Sequence, residues 1–200
     1  MSNFVLVTLA RSWRTCAVFF AILAILGMLI AFFFIRSNAL MEHQLRERLQ
    51  SAAAAAAVQF DGAQLEQIQS AKDVETPLYH LLSQRLRNLR DAVPGLRFAY
   101  ILRQTEDPMT LEFVADADSF LQISELDENG NGRVDPDEAP AVPGDRYDIS
   151  SIPTLQDKAF LGPITDSETT YDQWGALVSG YAPIRRWDDG RVVAVLGVDM

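Results

Sequence analysis

From Thr15 to Ile35 the chain reads TCAVFFAILAILGMLIAFFFI, without a charged residue or a proline. As a helix rising ~1.5 Å per residue this run spans about 30 Å, the thickness of a bilayer's hydrocarbon core. A single span in lipid satisfies its backbone hydrogen bonds internally, so a helix is predicted. A buried core helix is a poor alternative, because nothing else in a chain of 200 residues could cover a helix that is apolar all round. The competing reading is a cleaved signal peptide, for which Ser37-Asn38-Ala39 offers small residues. The run exceeds the usual apolar core of about 7–15 residues, and Arg36 intervenes, so it is read as an uncleaved anchor.

Beyond Arg36 the pattern stays helical. Met41, Leu45, Leu49, Ala52, Ala56 and Phe60 recur three or four residues apart and share one face. That face suits either a dimerising stalk or packing on the chain's own domain. Asp61-Gly62 breaks the pattern, and a short helix follows over 63–70. Thr76-Pro77 starts another, with Thr as cap and Pro in the first turn. Its apolar face is Leu78, Leu81, Leu82, Leu86 and Leu89, and Pro94-Gly95 ends it.

Strands are predicted over 96–102 and 111–115 as a hairpin, with Pro108 in the turn. An irregular acidic segment of about 35 residues runs to Ser151, and 153–159 reads as a short helix. Two last strands, 175–187 and 191–199, are joined by Asp188-Asp189-Gly190, a tight-turn signal. Pro183 inside the first marks a bulge or an edge. The predicted class is α+β: helices, then an antiparallel sheet of about four or five strands with one long insertion. No internal repeat is present.

Charge adds a constraint. All 27 acidic residues follow Ile35, whereas Arg11, Arg14 and Arg36 belong to the span and its flanks. The remaining 14 basic residues leave the rest of the chain at −13. That balance argues against nucleic acid and anionic lipid surfaces as partners, and suits cations or solubility. Cys16, the one cysteine, lies within the span, so no intrachain disulfide forms. Basic residues on the two sides of the span are nearly balanced, and the positive-inside rule does not orient it.

One motif is sharp. Residues 127–138, DENGNGRVDPDE, fit the spacing of an EF-hand calcium loop at every required position. Ca²⁺ takes six to eight hard oxygens. Asp127 would supply a carboxylate oxygen at position 1, and Asn129 and Asn131 amide oxygens at positions 3 and 5. Gly132 permits the sharp turn at position 6. Arg133 would contribute its backbone carbonyl, Asp135 would act through a water, and Glu138 would close the site with two oxygens. Residues 121–126 could form the entering helix, but Pro136, Pro140 and Pro143 leave almost no exit helix. With two neutral Asn ligands and no second loop, the expected affinity is that of weak extracellular modules, ~10⁻⁴–10⁻³ M. Such a site fills outside a cell, which favours an extracytoplasmic setting.

Other chemistry is absent at this level. His43 and His80 lie in helices away from any carboxylate at metal spacing, and Asp116 and Asp118 read as solvated loop acids. No nucleophile elbow, phosphate-cradling Gly loop or HExxH occurs, and no catalytic case emerges. Tyr100, Tyr147, Trp174 and Tyr181 are candidates for lining a small-ligand cavity, as rings with a polar tip do; packing in the core is the alternative.

The order of these pieces is informative: a membrane anchor, a long exit helix, VPGLRFAYILRQ, PGDRYDIS, DQWGALVSGYAPIRRWDDG and a terminal RVVAVLGVDM. Together they resemble the Cache, PAS-like extracytoplasmic sensor domains of bacterial histidine kinases, cyclases and chemoreceptors, over residues 37–200. The resemblance implies a central antiparallel sheet behind a long N-terminal helix that dimerises, and a periplasmic location. It also implies that Asp199, at the end of the last strand, presents an acid to a ligand pocket. The Arg-x-Trp-Tyr signature of the amino-acid-binding members is not seen, so the ligand class does not transfer.

The expected organisation is a cytoplasmic tail (1–14), a transmembrane helix (15–35), a helical stalk (36–60) and a sensor domain (61–200) carrying the loop at 127–138. The expected setting is the inner membrane, single-pass, with 37–200 outside, and a homodimer or heterodimer through the 38–60 helix. The function expected is signal input, in a fragment or shortened paralogue whose kinase or cyclase output would lie beyond residue 200. The alternative is a calcium-stabilised surface or interaction protein with no small-molecule ligand.

Overall fold

The structure is a computed structural model that describes residues 2–127, 129–172 and 175–200, with side chains from residue 20 onward except 39 and 172. The class is α+β. Its elements divide into two compact units, Met1–Gln44 and Leu45–Met200.

The described residues of the first unit are helix, part of α1 (Ser2–Ala57). This helix is long and apolar enough to cross a membrane, and none of its most apolar stretch is buried by the chain. Phe20, Met28 and Phe33 are each about two-thirds exposed or more, at 68%, 73% and 68%. Side chains of this kind left bare at that density need an apolar solvent.

The second unit begins on the last turns of α1. Leu49, Ala53, Ala56, Ala57 and the following Phe60 are buried in its core, so these turns pack on their own domain. Asp61 caps α2 (Gly62–Leu65) by accepting from the Ala63 N–H at 3.0 Å. A 3₁₀ turn over Ala71–Glu75 leads to α3 (Pro77–Ala92). Thr76 caps α3, its Oγ1 accepting from the Tyr79 N–H at 3.2 Å with Pro77 in the first turn, as the Thr-Pro pair predicts.

The strands are β1 (Phe98–Gln104), β2 (Thr110–Asp116), β3 (Arg146–Asp148), β4 (Ile164–Thr165), β5 (Thr170–Asp172), β6 (Gly175–Leu177), β7 (Ser179–Arg185) and β8 (Val192–Asp199). Two short helices, α4 (Ile123–Leu126) and α5 (Pro153–Asp157), lie between β2 and β3 and between β3 and β4. Six strands form an antiparallel sheet in the order β3-β2-β1-β8-β7-β4, and β5 pairs with β6 separately. The sheet is larger than the four or five strands expected. The additions, β3 and β4, have three and two residues, too few to show a period of two. The predicted 175–187 strand is divided at Val178: Leu177 pairs with β5, while Ser179 pairs with Asp199 of β8. β4 meets β7 only at Gly180 and Tyr181, which leaves the outer side of β7 open at Pro183. The register then shifts between Ile184 and Arg185. Both are places where a residue lacking an N–H is tolerated.

Both faces of this sheet are covered, so side-chain parity sorts two cores. Ala99, Ile101, Ala182, Ile184, Ala194, Leu196 and Val198 pack with α1 and α3. Tyr100, Leu102, Tyr181 and Val195 face the other way, onto Ile149, Ile152 and Leu155.

The approach of α1 to β7 requires a glycine. A Cβ on Gly180 would lie 2.8 Å from the Leu49 carbonyl carbon and 2.9 Å from its Cβ. The obstacle is helix backbone, which cannot turn aside. Gly180→Ala should therefore destabilise the domain by ~1–3 kcal/mol, the usual cost of overpacking. Gly162→Ala, where nothing lies within 4 Å and φ is not positive, should be near neutral. Urea unfolding of the two variants beside the parent checks this, and equal midpoints for both would contradict the packing described.

Candidate functional site

The sheet face opposite the helices carries a cavity of about 150 Å³ within the second unit. β1 forms its floor. In the register Tyr100 lies opposite Asp116 of β2, and Phe98 opposite Asp199 of β8. The side chains of Phe98 and Tyr100 point to one face, and their cross-strand partners point with them. Two carboxylates, one on each strand flanking β1, thus face the same side of the sheet as its aromatic rings.

Gly197, opposite Tyr100 on β8, makes room for the ring. A Cβ there would sit 2.3 Å from it. The Tyr100 hydroxyl donates to Asp199 Oδ1 at 3.1 Å, and Asp199 is 3% exposed. Burial, then the Asp199 charge, push the Tyr100 hydroxyl well above its ordinary pKa, so it stays a donor. Phe113 packs edge-on to Tyr100 at 5.7 Å and tilted to Tyr147 at 5.8 Å, which continues the aromatic wall onto β2 and β3.

Asp116 accepts from the N–H of Asp118 at 2.8 Å and of Ala141 at 3.1 Å. Burial outweighs these bonds and the nearby Arg90 charge, and pushes its carboxyl up to about 7. Asp118 forms an ion pair with Arg90. Asp116 and Asp118, which read as solvated loop acids, are therefore cavity groups. Asp116 closes a strand and Asp118 follows it closely, while what covers them, Ala141 and Arg90, comes from distant parts of the chain. Arg97, also on the lining, places its guanidinium 4.8 Å from the Phe98 ring centre.

Of the aromatic candidates, Tyr100 and Tyr147 line the cavity, as does Asp199. Tyr181 is buried on the same face but is not part of the lining; its hydroxyl donates to Asp166 Oδ2 at 3.3 Å. Trp174 lies outside the described residues. His80 stacks on Phe120 at 4.1 Å, a packing role.

The 127–138 loop forms the opposite rim. Leu126, Asp137, Glu138 and Ala139 line the same cavity. The loop folds onto its own oxygens. Asp127 Oδ2 accepts from the Gly132 N–H at 2.7 Å and Oδ1 from the Asn131 N–H at 2.9 Å. Asn129 Oδ1 accepts from the Asn131 N–H at 3.0 Å, and Asn131 Oδ1 from the Arg133 N–H at 2.8 Å. Glu138 reaches back across the loop to the N–H groups of Asn129 and Asp135, both at 3.0 Å. Gly132 has φ +81°, the left-handed conformation that position 6 calls for. Both Asn amides donate to Asp135 Oδ2.

The candidate ligand residues are thus gathered. Among the described residues no three His, Cys, Asp or Glu side chains form a metal-holding group; the loop's donor set is mixed, with Asn oxygens beside Asp and Glu. An all-oxygen set fits a hard cation such as Ca²⁺ and not a thiophilic one. Each oxygen bonded to one N–H keeps a second lone pair for an ion. The exit side is a single turn, the Asp135 carbonyl accepting from the N–H groups of Glu138 and Ala139, as the prolines predict.

No family model matches the chain, and no curated protein matches it. Among solved structures it is similar to the crystal structure of an extracellular domain assigned to the histidine kinase mmHK1S-Z2, with a TM-score of 0.44 and 15% identity, over 80% of this chain and 55% of that one.

The raised Asp116 carboxyl has a consequence for stability. Its neutral form is favoured in the fold, while the unfolded chain titrates near ~3.9. Its contribution is therefore fully present below about pH 4, and is lost as pH rises toward about 7 at up to ~1.4 kcal/mol per pH unit. Asp116→Asn removes this dependence. The stability difference, variant minus parent, should grow between about pH 4 and 7 and then level off, read from urea unfolding across pH. A flat difference would contradict the raised Asp116 carboxyl.

Proposed function

We propose that this chain is the signal-input part of a membrane-anchored sensor. In this reading the α1 span crosses the inner membrane once, residues 37–200 lie outside, and the cavity receives a small molecule. Ca²⁺ held by Asp127, Asn129, Asn131, the Arg133 carbonyl, Asp135 and Glu138 keeps the rim in place. The observation that carries the reading is the cavity itself, walled by sheet residues on one side and by the calcium-type loop on the other, with Glu138 belonging to both. It favours a sensor over a calcium-stabilised surface protein with a filled core. The resemblance of residues 37–200 to Cache domains supports the same reading.

Ca²⁺ would supply a fixed double positive charge that cross-links the two ends of the loop. Without it, Asp127, Asp135 and Glu138 are held by backbone and amide N–H groups alone. With it, the segment 126–140 becomes a rigid wall. Dimerisation in this proposal uses the turns of α1 before Leu45, where Leu40 and Met41 are exposed at 56% and 65%. The turns after Leu49 are already occupied by the core.

Calorimetric titration of Ca²⁺ into the full chain in lipid nanodiscs tests the metal site. Saturable binding with Kd near the weak-module range of ~10⁻⁴–10⁻³ M is expected. Glu138→Gln, which removes the bidentate ligand, should weaken it by roughly an order of magnitude or more. No heat and no shift of the melting temperature up to ~10 mM, well above that range, would reduce the loop to a polar connection.

A further inference from the structure

We propose that Asn129 is a site of spontaneous covalent modification. Its side-chain amide is lost by cyclisation onto the Gly130 nitrogen, while Asn131, in the same dipeptide two residues on, is held back by the fold. The chemistry needs only water and this chain. Its effect on ion binding rests on the reading of 127–138 as a calcium loop; the choice between the two asparagines does not.

The sequence supplies two equivalent sites. Asn129-Gly130 and Asn131-Gly132 are each Asn followed by Gly, and all four residues are exposed. In such a pair the backbone nitrogen of the glycine attacks the asparagine Cγ. An N–Cγ bond forms, the bond from Cγ to the side-chain NH₂ breaks, and the glycine N–H proton leaves with that group as ammonia. A five-membered succinimide remains. Water then adds to one of its two carbonyl carbons. Opening at Cγ leaves an aspartyl residue. Opening at the main-chain carbon leaves an isoaspartyl residue, with an extra methylene in the backbone. Glycine has no Cβ to crowd the ring, and a Cβ built at Gly130 or Gly132 would meet nothing within 4 Å, so there is room for the ring at both.

The fold separates them. Each Oδ1 accepts from the N–H two residues on, at 3.0 Å for Asn129 and 2.8 Å for Asn131. Each Nδ2 donates to Asp135 Oδ2, at 2.8 Å and 2.6 Å. The two side chains are thus held alike, and the difference lies in the nitrogen that attacks. The Gly132 N–H is committed to the Asp127 carboxylate at 2.7 Å, a charge-assisted bond that must break before this nitrogen can turn toward Cγ. Among the described residues the Gly130 N–H makes no hydrogen bond.

The products differ from the parent in what they offer an ion. At loop position 3 the aspartyl form replaces an amide that donates to Asp135 with a carboxylate. The empty loop loses that bond, and the ligand charge count, which tunes affinity for Ca²⁺, rises. The isoaspartyl form lengthens the backbone and breaks the ligand spacing. The loop's affinity then changes with the age of the chain, without an enzyme.

The test ages the full chain in nanodiscs, in a calcium-chelating buffer at mildly alkaline pH, beside the urea-unfolded chain. The loop peptide is followed by mass spectrometry, with aspartyl and isoaspartyl forms separated. In the folded chain Asn129 should convert about tenfold or more faster than Asn131, the factor that a hydrogen bond to a charged group represents. In the unfolded chain the two rates should come together. Asp127→Ala, which removes the acceptor of the Gly132 N–H, should raise the Asn131 rate toward that of Asn129. Equal rates in the folded parent, faster loss at Asn131, or an Asn129 that persists while the unfolded chain converts, each overturn the proposal. An Asn131 that stays slow in Asp127→Ala overturns the protecting role of that bond. Repeating the ageing in saturating Ca²⁺ separates this from the calcium reading. Slower loss of Asn129, with Asn129→Asp binding Ca²⁺ about tenfold tighter by calorimetry, supports the effect on the ion. An unchanged rate and no Ca²⁺ binding, with Asn129 still converting first, overturns that effect and leaves the modification site standing.

Discussion

The pairing of β1 with β8 is the contact on which the rest of the second unit depends. The two strands are central in a sheet covered on both faces, so residue parity along them decides the role of each side chain. Ala99, Ile101, Leu196 and Val198 go to the helices. Phe98, Tyr100 and Asp199 go to the cavity. A shift of one residue in this register would exchange the two sets, burying Asp199 against α1 and α3 and opening the cavity floor. Two glycines hold the arrangement in place: Gly180 admits the backbone of α1, and Gly197 admits the Tyr100 ring.

The cavity concentrates groups that a folded protein tolerates only with partners. Asp199 has the Tyr100 hydroxyl, Asp116 has two backbone N–H groups, and Asp118 has Arg90. Each of these carboxylates is therefore hydrogen-bonded or ion-paired within the fold. A second buried carboxylate, Asp166, is likewise pushed upward by burial. Its backbone carbonyl accepts from Arg46 Nε at 3.0 Å and its carboxylate from the Tyr181 hydroxyl, so one residue joins the sheet to the C-terminal turns of α1.

The 127–138 loop shows how an insertion becomes part of a site. Its internal bonds come from its own described residues, and the segment that follows it is tied to the sheet. The Ala141 N–H reaches Asp116, and Gly144 and Asp145 exchange backbone bonds with Phe113. Order in the loop and order in the cavity wall therefore share residues, without any long chain of intermediates.

The features legible in the sequence are those whose physics is local. The apolar run at 15–35 needs only its own length and composition to read as a helix that can span lipid. Thr76-Pro77 specifies a helix start within three residues, and the loop motif carries all its oxygens on twelve consecutive positions. Strand existence followed from runs such as 96–102 and 191–199, because a strand with both sides covered is apolar at nearly every position. What only the tertiary structure decided is whatever depends on neighbours distant in the chain. Tyr100 and Asp199 meet 99 residues apart, β3 and β4 gain strand form only from the edges they join, and Asp116 takes its partner from Ala141, 25 residues on. Burial and cross-strand register are properties of the packed chain, and no local period records them; the membrane span and the loop spacing are written in contiguous residues, and so could be read directly.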